Sequence, residues 1–305
     1  MHRHLNKEDR ACIATLLRKR YSYSQVARVL DVSPSTISRE VRRNTKDHYD
    51  VRTAQRQARL RRRSARTKYR LIETQPELEK VVGRQLKQKW SPEQIEHRTR
   101  LISDSSIYRY LERHPTLKLY LRRGGRRRRR YGTKRIPSRY QANKRSIHDR
   151  PTIKSIGHWE GDTILGSERK LRIVTYVDKL SGYLVAAKLT GTADTIHLHA
   201  THSFKELPCQ SITYDNGSEF ALHKMIERDT QALVYFADPG KPHQRGTNEN
   251  TNGLLRQYFP KGSAFASIKA SDVTRAVNQL NNRPRKRLNY LTPREYLERE
   301  GVRFR

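Results

Sequence analysis

The sequence predicts a multidomain protein in which N-terminal all-α units precede an α/β domain. Three observations predict it. Positive charge is crowded into the first half of the chain. Apolar residues there recur at helical spacing and give way, from residue 158, to short β-type runs. Three isolated acids, Asp162, Asp215 and Glu249, stand in that second part beside turn-forming residues. The 305 residues include 65 Lys and Arg against 30 Asp and Glu, a net charge of +35. Residues 1–150 carry 42 basic and 14 acidic side chains, net +28, whereas 151–305 carry 23 and 16, net +7. Such an excess points to a polyphosphate partner. Its asymmetry assigns the holding of nucleic acid to the first half and chemistry to the second.

Composition narrows the classes further. An apolar fraction of 34% implies small cores with wide solvated or ligand-covered surfaces. No apolar run approaches the roughly 20 residues that span a bilayer, and Met1-His2-Arg3-His4 lacks the apolar core of a secretory signal. Cys12 and Cys209 have no ligand spacing and read as buried thiols of a reducing compartment. The expectation is a cytoplasmic protein without a membrane partner.

The elements follow in order. Ile13, Leu16 and Leu17 lie on one face of a first helix over 7–19. A second short helix, N-capped by Ser24, turns Val26, Ala27 and Leu30 inward. After a turn at 31–33, Ser33 and Pro34 supply the N-cap and first position of a third helix over 34–43. That helix buries Ile37 and Val41 and leaves Ser35, Thr36, Ser38, Arg39, Arg42 and Arg43 outside. A short polar helix presented N-terminus first is a helix-turn-helix reader of the major groove, and 1–46 is expected to be that domain.

Over 47–75 a basic helical linker follows. Arg52, Arg56, Arg59, Arg63, Arg66 and Arg70 recur every three or four residues and form one cationic stripe on a helix. A second helix-turn-helix is expected over 76–120. Leu78, Val81, Val82 and Leu86 line its first helix, and Ser91 and Gln94 form a capping box around Pro92 in the next. Ile107 and Leu111 face inward from a helix over 103–113. Its connection, 96–102, looks short and also fits one continuous helix. Arginines 126–130 after Gly124-Gly125 mark an Arg-rich linker over 121–150.

The α/β domain occupies 151–305. Runs at 158–165, 171–177 and 183–189, separated by Gly166-Ser167 and Ser181-Gly182, predict a three-stranded antiparallel meander. A helix over 192–206 leads to a fourth strand ending at Asp215. Another over 218–230 leads to a fifth strand at 233–236, and a Gly/Pro-rich loop precedes the helix bearing Glu249. This is the ribonuclease H-like order, which sets the ends of strands one and four side by side. Phosphodiester cleavage or transfer needs a deprotonated attacking oxygen and a stabilised leaving oxygen. Two Mg²⁺ ions held by hard carboxylate oxygens supply both, with Mn²⁺ able to substitute. Asp162, Asp215 and Glu249 are therefore the candidate metal ligands. Glu160, Asp178 and Glu219 read as structural acids, and His199 with His202 lacks a third metal partner.

Three strings, Gly-His-Trp-Glu-Gly-Asp at 157–162, Tyr-Asp-Asn-Gly-Ser-Glu-Phe at 214–220 and the run from Arg245-Gly246-Thr247-Asn248-Glu249 to Gly262, resemble the DDE transposases of bacterial insertion sequences. Within these they resemble the insertion-sequence-thirty family. Trp90-Ser91-Pro92-Glu93-Gln94-Ile95 and Asn281-Asn282-Arg283-Pro284-Arg285-Lys286 with Leu291-Thr292-Pro293 resemble it too. The resemblance implies a DNA transposase whose metal triad is Asp162, Asp215 and Glu249. Arg256 would steady DNA beside the metals. The partners would be double-stranded terminal inverted repeats and target DNA, engaged by at least a dimer on the bacterial nucleoid. Gln244 departs from an expected Glu.

Overall fold

The computed structural model describes residues 4–45, 48–67, 70–122, 124, 144–168 and 170–304, without side chains at 63–67. Arginines 126–130 lie outside the described residues, as do the side chains of Arg63 and Arg66. Two compact units result, residues 1–76 and 77–305. The second helix-turn-helix, expected over 76–120, shares its unit with the sheet from residue 77 on.

The first unit contains α1 (Lys7–Arg18), α2 (Tyr23–Val29), α3 (Pro34–Asn44), α4 (Val51–Thr67) and α5 (Leu71–Thr74). Leu5, Ile13, Val26, Ala27, Ile37 and Val41 form its core. Ser22, not Ser24, caps α2, in a reciprocal box with Gln25; the helix starts where the hydroxyl and amide satisfy each other's backbone groups. Ala54 and Ala58 of α4 are buried, so α4 packs within this unit and is no free linker. Arg52, Arg56 and Arg59 face solvent, whereas Arg70 lies beyond α4 as the N-cap of α5, which shortens the expected stripe. A buried polar knot joins these helices. Arg10 Nε donates to Glu40 Oε1 at 2.7 Å, and its Nη1 donates to Gln55 of α4 and to the Leu5 carbonyl. The Tyr49 hydroxyl also donates to Glu40, and burial, then Glu40, raises its pKa.

The second unit opens with α6 (Pro76–Lys87), α7 (Pro92–Thr99) and α8 (Asp104–Arg113). They repeat α1, α2 and α3. Arg20 and Lys89 take the left-handed conformation after the first helix of each set, at φ 61 and 66. Ser22 with Gln25 and Ser91 with Gln94 build identical capping boxes. Residues 30–33 and 100–103 make connections of equal length, each broken by one left-handed residue, Asp31 or Arg100. Ser33, Ser35, Ile37 and Arg39 then recur as Ser103, Ser105, Ile107 and Arg109. The second connection is therefore neither shortened nor continuous helix.

The sheet follows. It comprises β1 (His158–Leu165), β2 (Arg172–Asp178), β3 (Leu184–Leu189), β4 (Ser211–Tyr214) and β5 (Leu233–Phe236) in the order β3-β2-β1-β4-β5. The first three strands are antiparallel, and β4 and β5 run parallel to β1. Helices α9 (Ala193–Ser203) and α10 (His223–Thr230) cover one face through Ile196, Ala200 and Ile226. Helices α11 (Gly246–Leu255) and α12 (Ala270–Asn281) cover the other through Leu254, Leu255, Val273 and Leu280, and α13 (Pro293–Arg299) completes the chain. Asn281 of α12 pairs its amide with both backbone groups of Leu184 at 2.8 Å, which occupies part of the β3 edge. Gly161 is required in β1, because a Cβ there would stand 2.3 Å from the Tyr214 ring.

The Arg10–Glu40 pair has side-chain exposures of only 5% and 10%. Arg10→Met should therefore strand a buried carboxylate and destabilise the first unit by about 3–5 kcal/mol, while Arg10→Met with Glu40→Met should recover most of the loss. Chemical denaturation of the three proteins measures this. A double variant no better than the single one would refute the assignment.

Candidate active site

Alternation along β1 sends Glu160, Asp162 and Ile164 to the α11 face. Pairing of His158–Glu160 with Ser211–Thr213 in parallel brings the end of β4 beside them, so Asp215 follows directly at that margin. The two aspartates share one cation. Arg245 Nη2 lies 2.9 Å from Asp215 Oδ2, and its Nη1 lies 3.5 Å from Asp162 Oδ1. Burial raises the Asp162 pKa, Arg245 opposes the rise and the neighbouring Asp215 adds to it. Two carboxylates this close repel one another unless a positive charge stands between them.

Helix α11 is pinned to the strands by two asparagines one turn apart. Asn248 Nδ2 donates to the Glu160 carbonyl at 2.8 Å, and its backbone amide donates to Glu160 Oε2 at 2.9 Å. Asn252 Nδ2 donates to Asp162 Oδ2 at 2.9 Å, and Thr175 Oγ1 lies 3.2 Å from the side-chain oxygen of each asparagine, within reach to donate to either. Glu249 lies on α11 next to Asn248 and three positions before Asn252, which places it on the Asn252 face. Its side chain is exposed. Arg122 reaches this helix as well, donating to the Asn250 side chain at 3.1 Å.

The structure thus brings Asp162 and Asp215 together and leaves Glu249 apart. Among the described residues no group of three or more His, Cys, Asp or Glu stands close enough to hold a metal ion. The donor chemistry nevertheless fits a divalent ion, because two hard carboxylates already converge on a cation. Arg245 and the asparagine pair were not read from the sequence as site residues. The run from Arg245 to Gly262 contains them, but their roles depend on partners some 30 to 90 residues away.

The remaining candidates are placed as follows. Arg256, the C-cap of α11, donates to the Leu165 and Phe259 carbonyls. Glu160 is fully buried and also accepts from Lys179 at 3.1 Å. Asp178 accepts from Gly157 and Ser181 at a turn, and Glu219 accepts from Thr163 and Arg172. Gln244 holds Asp238 through its amide. His199 sits beside Ser203, its pKa pushed down to about 4 by burial. On α3, Ser35, Arg39, Arg42 and Arg43 are exposed and Thr36 is half-buried. Thr36, Arg39 and Arg43 line, with Arg61 and Arg62 of α4, a cavity of about 470 Å³. Arg39 folds back on Ser35, donating to its carbonyl at 3.0 Å and its hydroxyl at 3.2 Å. No helix among the described residues is long and apolar enough to cross a membrane.

Residues 2–44 match a helix-turn-helix domain model and residues 154–242 an integrase core domain model. The chain is 37% identical to the transposase InsI of insertion sequence element IS30A from Escherichia coli, over 97% of this chain and 84% of that one. It is 36% identical to the transposase of IS4351 from Bacteroides fragilis, over 97% and 95%, and 33% identical to that of IS1086 from Cupriavidus metallidurans, over 97% and 94%. A crystal structure of the catalytic core domain of BIV integrase aligns at 22% identity and a TM-score of 0.39, covering 48% of this chain and 96% of that one. The integrase core implies dependence on a divalent metal and the helix-turn-helix implies DNA binding. The chain belongs to the IS30 family of insertion-sequence transposases, DDE-type enzymes of DNA transposition.

Proposed function

We propose that the protein binds the terminal inverted repeats of its element through α3 and cuts and joins strands at Asp162, Asp215 and Glu249. These three would hold two Mg²⁺ ions, with Mn²⁺ as a substitute, in a cytoplasmic assembly of at least two copies on double-stranded repeat and target DNA. The observation that carries the reading is the Arg245 guanidinium shared between Asp162 and Asp215, beside a helix whose Asn252 also binds Asp162. The ions would activate the attacking oxygen and stabilise the leaving one. The protein's own part is positional. Glu160 and Asn248 hold α11 against β1, which keeps Glu249 within a turn of the Asp162 carboxylate's partner. Arg245 neutralises the aspartate pair, and its guanidinium is a donor group suited to a DNA phosphate.

Asp162→Asn, Asp215→Asn and Glu249→Gln should each abolish cleavage and joining in Mg²⁺ while leaving end binding within a few-fold of wild type. Gel-resolved products and band shifts measure the two properties. Near-normal strand transfer by any one variant would remove that residue from the triad.

Arg245→Gln removes the guanidinium that competes with metal for both aspartates. Calorimetric titration with Mn²⁺ should show tighter binding than in the wild type. Unchanged or weaker binding would mean that Arg245 does not occupy the metal position.

Arg52, Arg56 and Arg59 of α4 are exposed on one face, and phosphate contacts set affinity and salt dependence more than sequence choice. Replacing all three with Gln should weaken repeat and random DNA by similar factors and flatten log affinity against log salt by up to ~3 units. An unchanged slope would put this face in solvent.

A further inference from the structure

Two motifs far apart in the chain meet in the second unit. Gln94 Nε2 donates to the Pro284 carbonyl at 2.6 Å, and Arg283 Nε donates back to Gln94 Oε1 at 3.0 Å. Glu93 accepts from Lys286 Nζ at 2.7 Å and from the Tyr290 hydroxyl at 2.9 Å. Arg98 and Glu295 pair through two bonds, at 2.7 and 3.3 Å. His97 stacks on Tyr290 with ring centroids 3.7 Å apart and planes 9° from parallel. Glu93, Gln94, His97 and Arg98, the side chains on one side of these contacts, all belong to α7, the equivalent of α2 in the first helix-turn-helix. The first helix of such a motif ordinarily crosses the DNA backbone. In this copy its outer face is taken up by protein.

The opposite condition holds for α8. Ile107, Tyr110 and Leu111 are buried, while Ser105, Tyr108, Arg109 and Glu112 face outward. Arg109 folds onto Ser105 and Ser106 much as Arg39 folds onto Ser35 in α3. The second motif therefore keeps its reading helix exposed and uses its other helix as a mount. Arg283 ties that mount onward: its Nη1 donates to Gln257 at 2.9 Å, just past the helix that carries Glu249. Arg283 is only 4% exposed, so it acts within the fold and not at the surface, and that burial lowers its pKa to about 10.

We propose that the contact between 93–98 and 283–295 mounts α8 at a fixed offset from the Asp162–Asp215 site, so that α8, reading duplex DNA, sets where the strand is cut. The inference rests on the proposed end-cleaving function. A rigid reader makes cut position a property of the protein; a tethered one would let the site wander along the strand.

The test uses the full-length protein on end-containing duplex DNA with Mg²⁺, mapping cut sites at nucleotide resolution. A triple variant, Gln94→Ala, Arg98→Glu and Lys286→Glu, removes the amide contact and turns both ion pairs into repulsions. It should scatter cuts over several nucleotides while total DNA binding stays within about 3-fold of wild type. Adding Glu93→Lys and Glu295→Arg restores both pairs with reversed polarity and should restore one cut position. Arg98→Glu alone, at a half-exposed pair, covers the case of a triple variant that fails to fold, and should give a smaller scatter. Arg109→Ala should weaken repeat DNA more than random DNA. Cuts by a folded, mount-broken variant at the wild-type position with wild-type spread would overturn the proposal, as would equal losses on repeat and random DNA for Arg109→Ala. Wild-type protein that binds ends without cutting them would instead overturn the proposed function, and this proposal with it.

Discussion

A buried carboxylate organises the catalytic unit. Glu160 has no exposed surface, and an anion in that position is tolerable only with several donors directed at it. It finds two in the Lys179 ammonium and the Asn248 amide. The second is decisive, because the amide lies in the first turn of α11, where backbone N–H groups lack helical partners and the helix dipole favours negative charge. Glu160 thus caps α11 from the sheet. That capping decides which face of α11 meets β1, and so where Asn252, Glu249 and Arg256 go. Asp162 can be partly exposed and Glu249 exposed because the acid between strand and helix is not.

The same constraint explains how two acidic roles are separated within three residues. Glu160 and Asp162 leave β1 on the same face, yet one lies under the α11 N-terminus and the other at its margin. On the opposite face Gly161 gives way to the Tyr214 ring, whose chain continues into Asp215. One dipeptide therefore packs β4 closely enough to bring the second aspartate to Arg245. A side chain at 161 would move the ring, and the site would lose its spacing before it lost any charge.

Much of this was legible in the sequence. The strands announced themselves through alternating β-branched runs, and β1 and β5 begin and end where the pattern does, at His158–Leu165 and Leu233–Phe236. The capping boxes at Ser91 and Gln94 and the N-cap at Ser33 are local chemistry and could be read as such. Ser24 was the wrong cap because Ser22 with Gln25 offers two reciprocal bonds where Ser24 offers one. Less accessible was whatever depends on distance along the chain. The duplicated three-helix unit hides behind a handful of shared residues. Its second copy docks through partners nearly 200 positions away, and no local pattern reports that. The resemblance implies that Arg256 steadies DNA, and in the structure its guanidinium donates to the carbonyls of Leu165 and Phe259, contacts that no local pattern reports.

Those cases show why charge counting overstates the DNA-facing surface. The chain carries 65 basic residues, and a naive reading gives each of them to phosphate. Arg10 is spent on a buried knot, Arg245 on two carboxylates and Arg283 on two glutamines. Arg285 donates to the Leu280 carbonyl, with burial lowering its pKa. Guanidinium suits such tasks because its fork of donors can satisfy several acceptors at once without giving up its charge. Two populations of arginine follow from one composition. Those with multiple fixed acceptors hold the fold or the aspartate pair together, and those along the outer face of α4 lie toward solvent. Among the described residues, exposed arginines of this second kind, with Arg42 and Arg43 of α3, supply surface that a salt-dependent grip on DNA requires.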